Sequence, residues 1–104
     1  MATTRRCQEK LNSAIYALAV REGDVRQRLR GAYFFLRQLS DDEIPERLQM
    51  EFRSVLASLT RRGPEVGPAG EIYKKALDNT LDQMRNSTGR SLAERIFALY
   101  REIR

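Results

Sequence analysis

Apolar residues recur at steps of three and four along almost the whole chain, and no segment alternates at period two. The pattern therefore predicts helices and no strands. Cys7, Leu11, Ile15 and Leu18 share one face of a first helix running from about Thr4 to Glu22. Gly23 is its natural stop. Asp24, with Gln27 three residues on, then caps a second helix over Val25 to Leu39, whose inward face carries Val25, Leu29, Ala32, Leu36 and Leu39. Ser40-Asp41-Asp42-Glu43 reads as a capping box that opens a third helix, with Pro45 in the first turn. Leu48, Phe52, Val55, Leu56 and Leu59 line that helix, and Arg61 and Arg62 meet its negative end. A fourth helix over about Glu71 to Arg85 has a diluted stripe of Tyr73, Ala76, Leu77, Thr80 and Met84. The fifth begins after Ser87 or Ser91 and shows Leu92, Ile96, Leu99 and Ile103.

These elements predict an all-α fold, a compact bundle of about five helices forming a single domain over residues 1–104. The short connections at Gly23 and Ser40 make the first three helices antiparallel neighbours. Leu29, Leu36, Phe52, Leu56 and Ile96 are the expected centre of the core. The Gly/Pro loop at 63–70, Gly-Pro-Glu-Val-Gly-Pro-Ala-Gly, can reach ~25 Å at ~3.3 Å per residue, so helix order is not carried across it.

Composition narrows the chemistry mainly by what is missing. The 104 residues contain no histidine and one cysteine. That excludes Ser/His/Asp and Cys/His catalysis, histidine-ligated metals, internal disulfides and cysteine-only metal sites. No carboxylate or lysine pair stands out as acid–base machinery, and no cofactor is expected. Asp41, Asp42 and Glu43 are explained by capping, and Cys7 by a buried, inert thiol on an apolar face. Gly70 is followed by Glu71-Ile72, and a helix rather than a strand precedes the loop, so residues 63–70 are not a phosphate-binding P-loop. The first ten residues carry basic groups with no apolar stretch behind them, and no window reaches a membrane-spanning length. A cytoplasmic protein with no membrane association is the expectation.

Charge is unevenly placed. The chain carries 19 Lys plus Arg against 14 Asp plus Glu, net +5. Residues 1–37 are net +5, residues 38–60 net −3 and residues 61–104 net +3. On the second helix Arg26, Arg30 and Arg37 fall in one stripe with Tyr33 among them. Guanidiniums at that spacing can track phosphates while the tyrosine stacks on a base; the plain alternative is a solvated face. Arg85-Asn86-Ser87-Thr88-Gly89-Arg90 joins the last two helices, where Arg85, Ser87, Thr88, Gly89 and Arg90 make a candidate anion turn.

Tyr33, Phe34 and Phe35 make the second helix apolar nearly all round, with Phe34 opposite the core stripe. Either the helix is central, or Tyr33, Phe34 and Phe35 meet a protein partner, most simply a second copy in a homodimer.

From about residue 23 to 100 the chain resembles a loosely defined family of small helical bacterial proteins of unknown function. The resemblance is carried by Gly23, Arg28-Leu29, Ala32-Tyr33, Leu36, Leu39, Ile44-Pro45, Leu48, Phe52, Leu59-Thr60, a Gly-Pro step, Ala93-Glu94-Arg95-Ile96 and Leu99-Tyr100. It implies a shared helical fold and no activity. Family members tend to be acidic near the last helix, where this chain has Asn86, Arg90 and Ser91. The expected function is a small, non-catalytic protein–protein interaction or regulatory module. The alternative is a nucleic-acid-binding module using the stripe of the second helix.

Overall fold

A computed structural model describes residues 5–103. The expected helix start at Thr4 lies outside them. The fold is all-α, a compact bundle of five helices: α1 (Arg5–Val20), α2 (Val25–Leu36), α3 (Glu46–Leu59), α4 (Ala76–Asp82) and α5 (Asn86–Ile103), with a short hairpin of β1 (Glu65–Val66) and β2 (Ile72–Lys74) before α4. α1 and α2 pack as close antiparallel neighbours. α2 touches every other helix, and α5 lies against α1, α2 and α3. The principal extents of 46 × 28 × 18 Å leave a thickness of about two helices, each ~10 Å across.

The α1–α2 turn follows the sequence reading closely. Gly23 adopts φ +97°, a conformation that costs other residues dearly. The Asp24 carboxylate accepts the N–H groups of Arg26 and Gln27 at 3.0 and 3.3 Å, the bonding expected of an N-cap. Arg26 closes on the same carboxylate, and these bonds hold the Asp24 pKa below the ordinary carboxylate range. The buried face of α1 is rotated from the expected one. It carries Cys7, Leu11, Ala14 and Ala17, while Ile15 and Leu18 are half-buried. The small Ala14 and Ala17, with Gly31 and Ala32 of α2, allow the two helices to approach closely.

α2 ends at Leu36 rather than Leu39. Its last turn tightens, with Gln38 and Leu39 donating three residues back to Phe35 and Leu36, and the Gln38 side chain caps the Phe34 carbonyl at 2.8 Å. Leu39 is buried outside the helix. The Ser40–Glu43 box does form, but it organises a separate 3-10 turn at Asp41–Glu43. Pro45 precedes α3, and its carbonyl accepts from Leu48. Leu29, Leu36, Phe52 and Ile96 share the core as expected; Leu56 is only partly buried, and Val55 takes the inward position instead.

The loop expectation is corrected. Glu65 pairs with Lys74 and Val66 with Ile72, antiparallel across a bulge, and Gly67 donates to the Glu71 carbonyl at 2.7 Å. The chain turns back on itself instead of extending over the ~25 Å its length allows. Strands of two and three residues are too short to show a period. Because β2 takes residues 72–74, Tyr73 is exposed on a strand and α4 is a helix of 7 residues.

α5 starts at Asn86, so residues 86–90 are helix, not a turn. Gly89 is buried there, where an added Cβ would lie 2.7 Å from Val25 Cγ1. That docking onto α2 outweighs the poor helix propensity of a Ser-Thr-Gly start.

Candidate functional site

α2 presents its aromatic residues as the spacing implies. Phe34 is 52% exposed, and Tyr33 and Phe35 are half-buried. The Phe34 and Phe35 rings meet edge to face at 5.2 Å. The Arg37 guanidinium stacks 5.5 Å from the Phe34 centroid, and Lys10 Nζ lies 6.0 Å from that of Phe35. Arg30, Tyr33, Phe34 and Arg37 line a cleft of about 420 Å³, closed by Lys75 and Asp78 at the start of α4.

The predicted stripe is divided. Arg26 lies outside this cleft, held by Asp24 at 2.8 Å and reaching the Met84 carbonyl at 3.5 Å. Arg30 is ion-paired with Asp78. Arg37 and Lys75 have no acidic partner among the described residues. Phe35 faces the other way, toward α1, beneath Lys10.

A second cleft, of about 590 Å³, opens on α4 from the end of α3 and the first turns of α5. Arg61, Arg62, Arg85 and Arg95 line it with Ser58 and Thr88. Of the candidate anion turn, Arg85 and Thr88 face this cleft, whereas Ser87, Gly89 and Arg90 do not. Gly89 is instead the contact with Val25.

Two side chains of α4 hold the exit of α3 in place. Thr80 Oγ1 accepts the Arg62 N–H at 3.1 Å while donating to the Ala76 carbonyl at 2.8 Å. Asn79 Nδ2 donates to the Gly63 carbonyl at 3.1 Å. Arg95 is fixed by a two-pronged contact with Glu51 at 2.7 and 2.9 Å and by Ser54 at 2.9 Å. The Arg95 hydrogen bonds draw the Glu51 pKa down. Arg61, Arg62 and Arg85 have no acidic partner among the described residues, and no carboxylate lines the cleft.

By sequence alone, Arg61 and Arg62 meet the negative end of α3, and Arg95 carries a family resemblance but no site role. The available signal was charge: an Arg pair before the Gly/Pro loop and Arg85 after it, with the acids of residues 61–85 confined to Glu65, Glu71, Asp78 and Asp82. What was missing was the turn that brings these arginines together.

Among the described residues no group of three or more His, Cys, Asp or Glu is placed to hold a metal ion, and no helix is long and apolar enough to cross a membrane. The Cys7 thiol is buried, and burial with the nearby Glu43 charge pushes its pKa up to about 11. Of the residues behind the family resemblance, Leu29, Ala32, Leu36, Leu39, Ile44, Phe52, Leu59, Ile96 and Leu99 are core. No family model, curated protein or solved structure matches the chain.

Proposed function

We propose that the protein is a non-catalytic helical interaction module whose partner face is the cleft around Phe34. The observation that carries this reading is Phe34 itself, a large aromatic side chain 52% exposed beside Tyr33 and rimmed by Arg37 and Lys75. An exposed aromatic anchor with a positive rim suits a protein segment that inserts an apolar side chain between acidic residues. Charge favours such a partner over a second copy. Two-fold pairing of this face would set the Arg37 and Lys75 side chains of both subunits against each other. The single thiol, buried in α1, suits a reducing cytoplasmic setting.

Selection of displayed peptides on the immobilised protein tests the reading. Enrichment of acidic segments with an aromatic or aliphatic anchor, lost in Phe34→Asp, is the expected result. Enrichment without acidic bias, or unchanged in the variant, overturns it. Light scattering on the same two proteins reads self-association, and a dimer that dissociates in Phe34→Asp assigns the face to a second copy.

Cations beside aromatic rings are also what single-stranded nucleic acid recognises. That second reading has fewer available groups than the stripe implied, because Arg26 and Arg30 face Asp24 and Asp78. A low-salt titration with a single-stranded probe that shows no binding removes it.

A further inference from the structure

The cleft between the end of α3 and the start of α5 is chemically unlike the Phe34 face. Its guanidiniums come from three separate parts of the chain: Arg61 and Arg62 after α3, Arg85 before α5, and Arg95 within α5. In the Phe34 cleft Asp78 answers Arg30; here only Arg95 has an acidic partner, and that partner, Glu51, does not line the cleft. Like charges gathered without counter-charge repel one another, while the backbone beneath part of them and the Arg95 side chain are tied in place. The Thr80 and Asn79 bonds fix the backbone at residues 62 and 63, and Glu51 and Ser54 fix Arg95.

Hydroxyl groups of Ser58 and Thr88 complete the lining, whereas the Ser91 hydroxyl donates to the Ser87 carbonyl. The α5 N-terminus adds its positive end, since Arg85 immediately precedes its first turn and Thr88 lies within it. The volume of about 590 Å³ lies within the ~300–1,000 Å³ of small-molecule sites. The lining offers no aromatic ring for a nucleobase, and only Met84 and Leu92 for apolar contact.

From these features we infer that the cleft is a binding site for a small polyanion of the phosphate class, carrying two or more neighbouring phosphate groups. A single phosphate is shared by several guanidiniums only where they converge on one point, and these arise from three separate segments along the cleft. A pyrophosphate unit offers separate oxygens to Arg61, Arg62 and Arg85 together, with hydroxyl donors at the edge. Planar guanidiniums are suited to such forked contacts. The inference does not depend on the Phe34 reading, since neither Phe34 nor Arg37 reaches this cleft.

The test is isothermal titration of the full chain with inorganic pyrophosphate, alongside orthophosphate and a single-stranded RNA oligonucleotide. Pyrophosphate is expected to bind at one saturable site, more tightly than orthophosphate, and to weaken as salt rises. Arg61→Gln and Arg85→Gln are each expected to lose affinity by about tenfold, the effect of one charge-assisted hydrogen bond. Arg90→Gln, two residues beyond Thr88 on α5 but outside the cleft, is expected to leave the affinity unchanged. Arg61, Arg85 and Arg90 are all exposed, so the variants fold, and far-UV circular dichroism checks this. The inference is overturned if pyrophosphate gives no saturable heat at millimolar concentration, or if Arg61→Gln binds as tightly as the unchanged protein. It is also overturned if the RNA binds and pyrophosphate does not displace it.

Discussion

The α1–α2 pair and the segment from residue 60 to 85 are held by different physics. Along α1 and α2 the buried positions are apolar or small, running from Cys7 through Ala17 and from Leu29 through Leu36. The intervening turn needs one glycine at φ +97° and one capping aspartate. Between 60 and 85 only Thr80 and Leu81 are buried. That segment is tied down by Thr80 to Arg62, Asn79 to Gly63 and Lys74 to Asp82 at 2.6 Å. Apolar contact stabilises the first region without specifying single atoms. Polar ties hold the second at a few named atoms, and both clefts open there.

The largest effect is expected at Leu36. It is fully buried, and Leu36→Ala is expected to cost about 2–5 kcal/mol. A thermal melt unchanged within a degree or two would mean that the α1–α2 core does not carry the fold. Thr80→Val removes the acceptor for the Arg62 N–H and is expected to cost ~1–3 kcal/mol. Hydrogen exchange should quicken at residues 61–63 and in α4 while α1 and α2 stay protected; uniform quickening would erase the distinction. Asp24→Ala, at the cap of α2, is expected to cost about 1 kcal/mol by denaturant titration.

Acid makes a smaller and graded change. Asp24, Glu43 and Glu51 have pKa values lowered by hydrogen bonds, chiefly from Arg26, the Ser40 backbone and Arg95 respectively. Lowered values in the folded state mean the unfolded chain takes up these protons first. Their stabilisation is therefore complete above the ordinary carboxylate range near ~4 and is lost as pH falls through the lowered values. Stability is expected to be level between pH 5 and 8 and to decline below about pH 4, with a shallower decline in Glu51→Gln. The smallest effect is expected for Lys74→Met, whose pair with Asp82 is solvent-exposed, at under ~1 kcal/mol. A larger loss would show the hairpin to be structural support for α4.

How much was legible in the sequence divides along the same line. Periodicity located the helices that bury a stripe, and the caps at Gly23 and Asp24 were readable because their chemistry is local. The hairpin was not readable, because Glu65-Val66 and Ile72-Tyr73-Lys74 are held by backbone bonds that leave no side-chain period. The true start of α5 was hidden by Ser87, Thr88 and Gly89, residues that favour turns until Gly89 meets Val25. Tyr33, Phe34, Arg30 and Arg37 were found because one helix face brings them together. The second cleft was not, because its arginines are neighbours only through the return of the chain across α4.

Those 7 residues of α4 have a consequence in terms of linkage. Ala76, Leu77 and Asp78 wall the Phe34 cleft, and Thr80 walls the arginine cleft. A helix of two turns is a short cooperative unit, and its opening would dissolve a wall of each cleft at once. A ligand that requires α4 in place at either cleft therefore meets part of the ordering cost for the other. Were both proposed ligands to require α4 in place, the two affinities would rise together and by the same factor, whichever ligand arrived first.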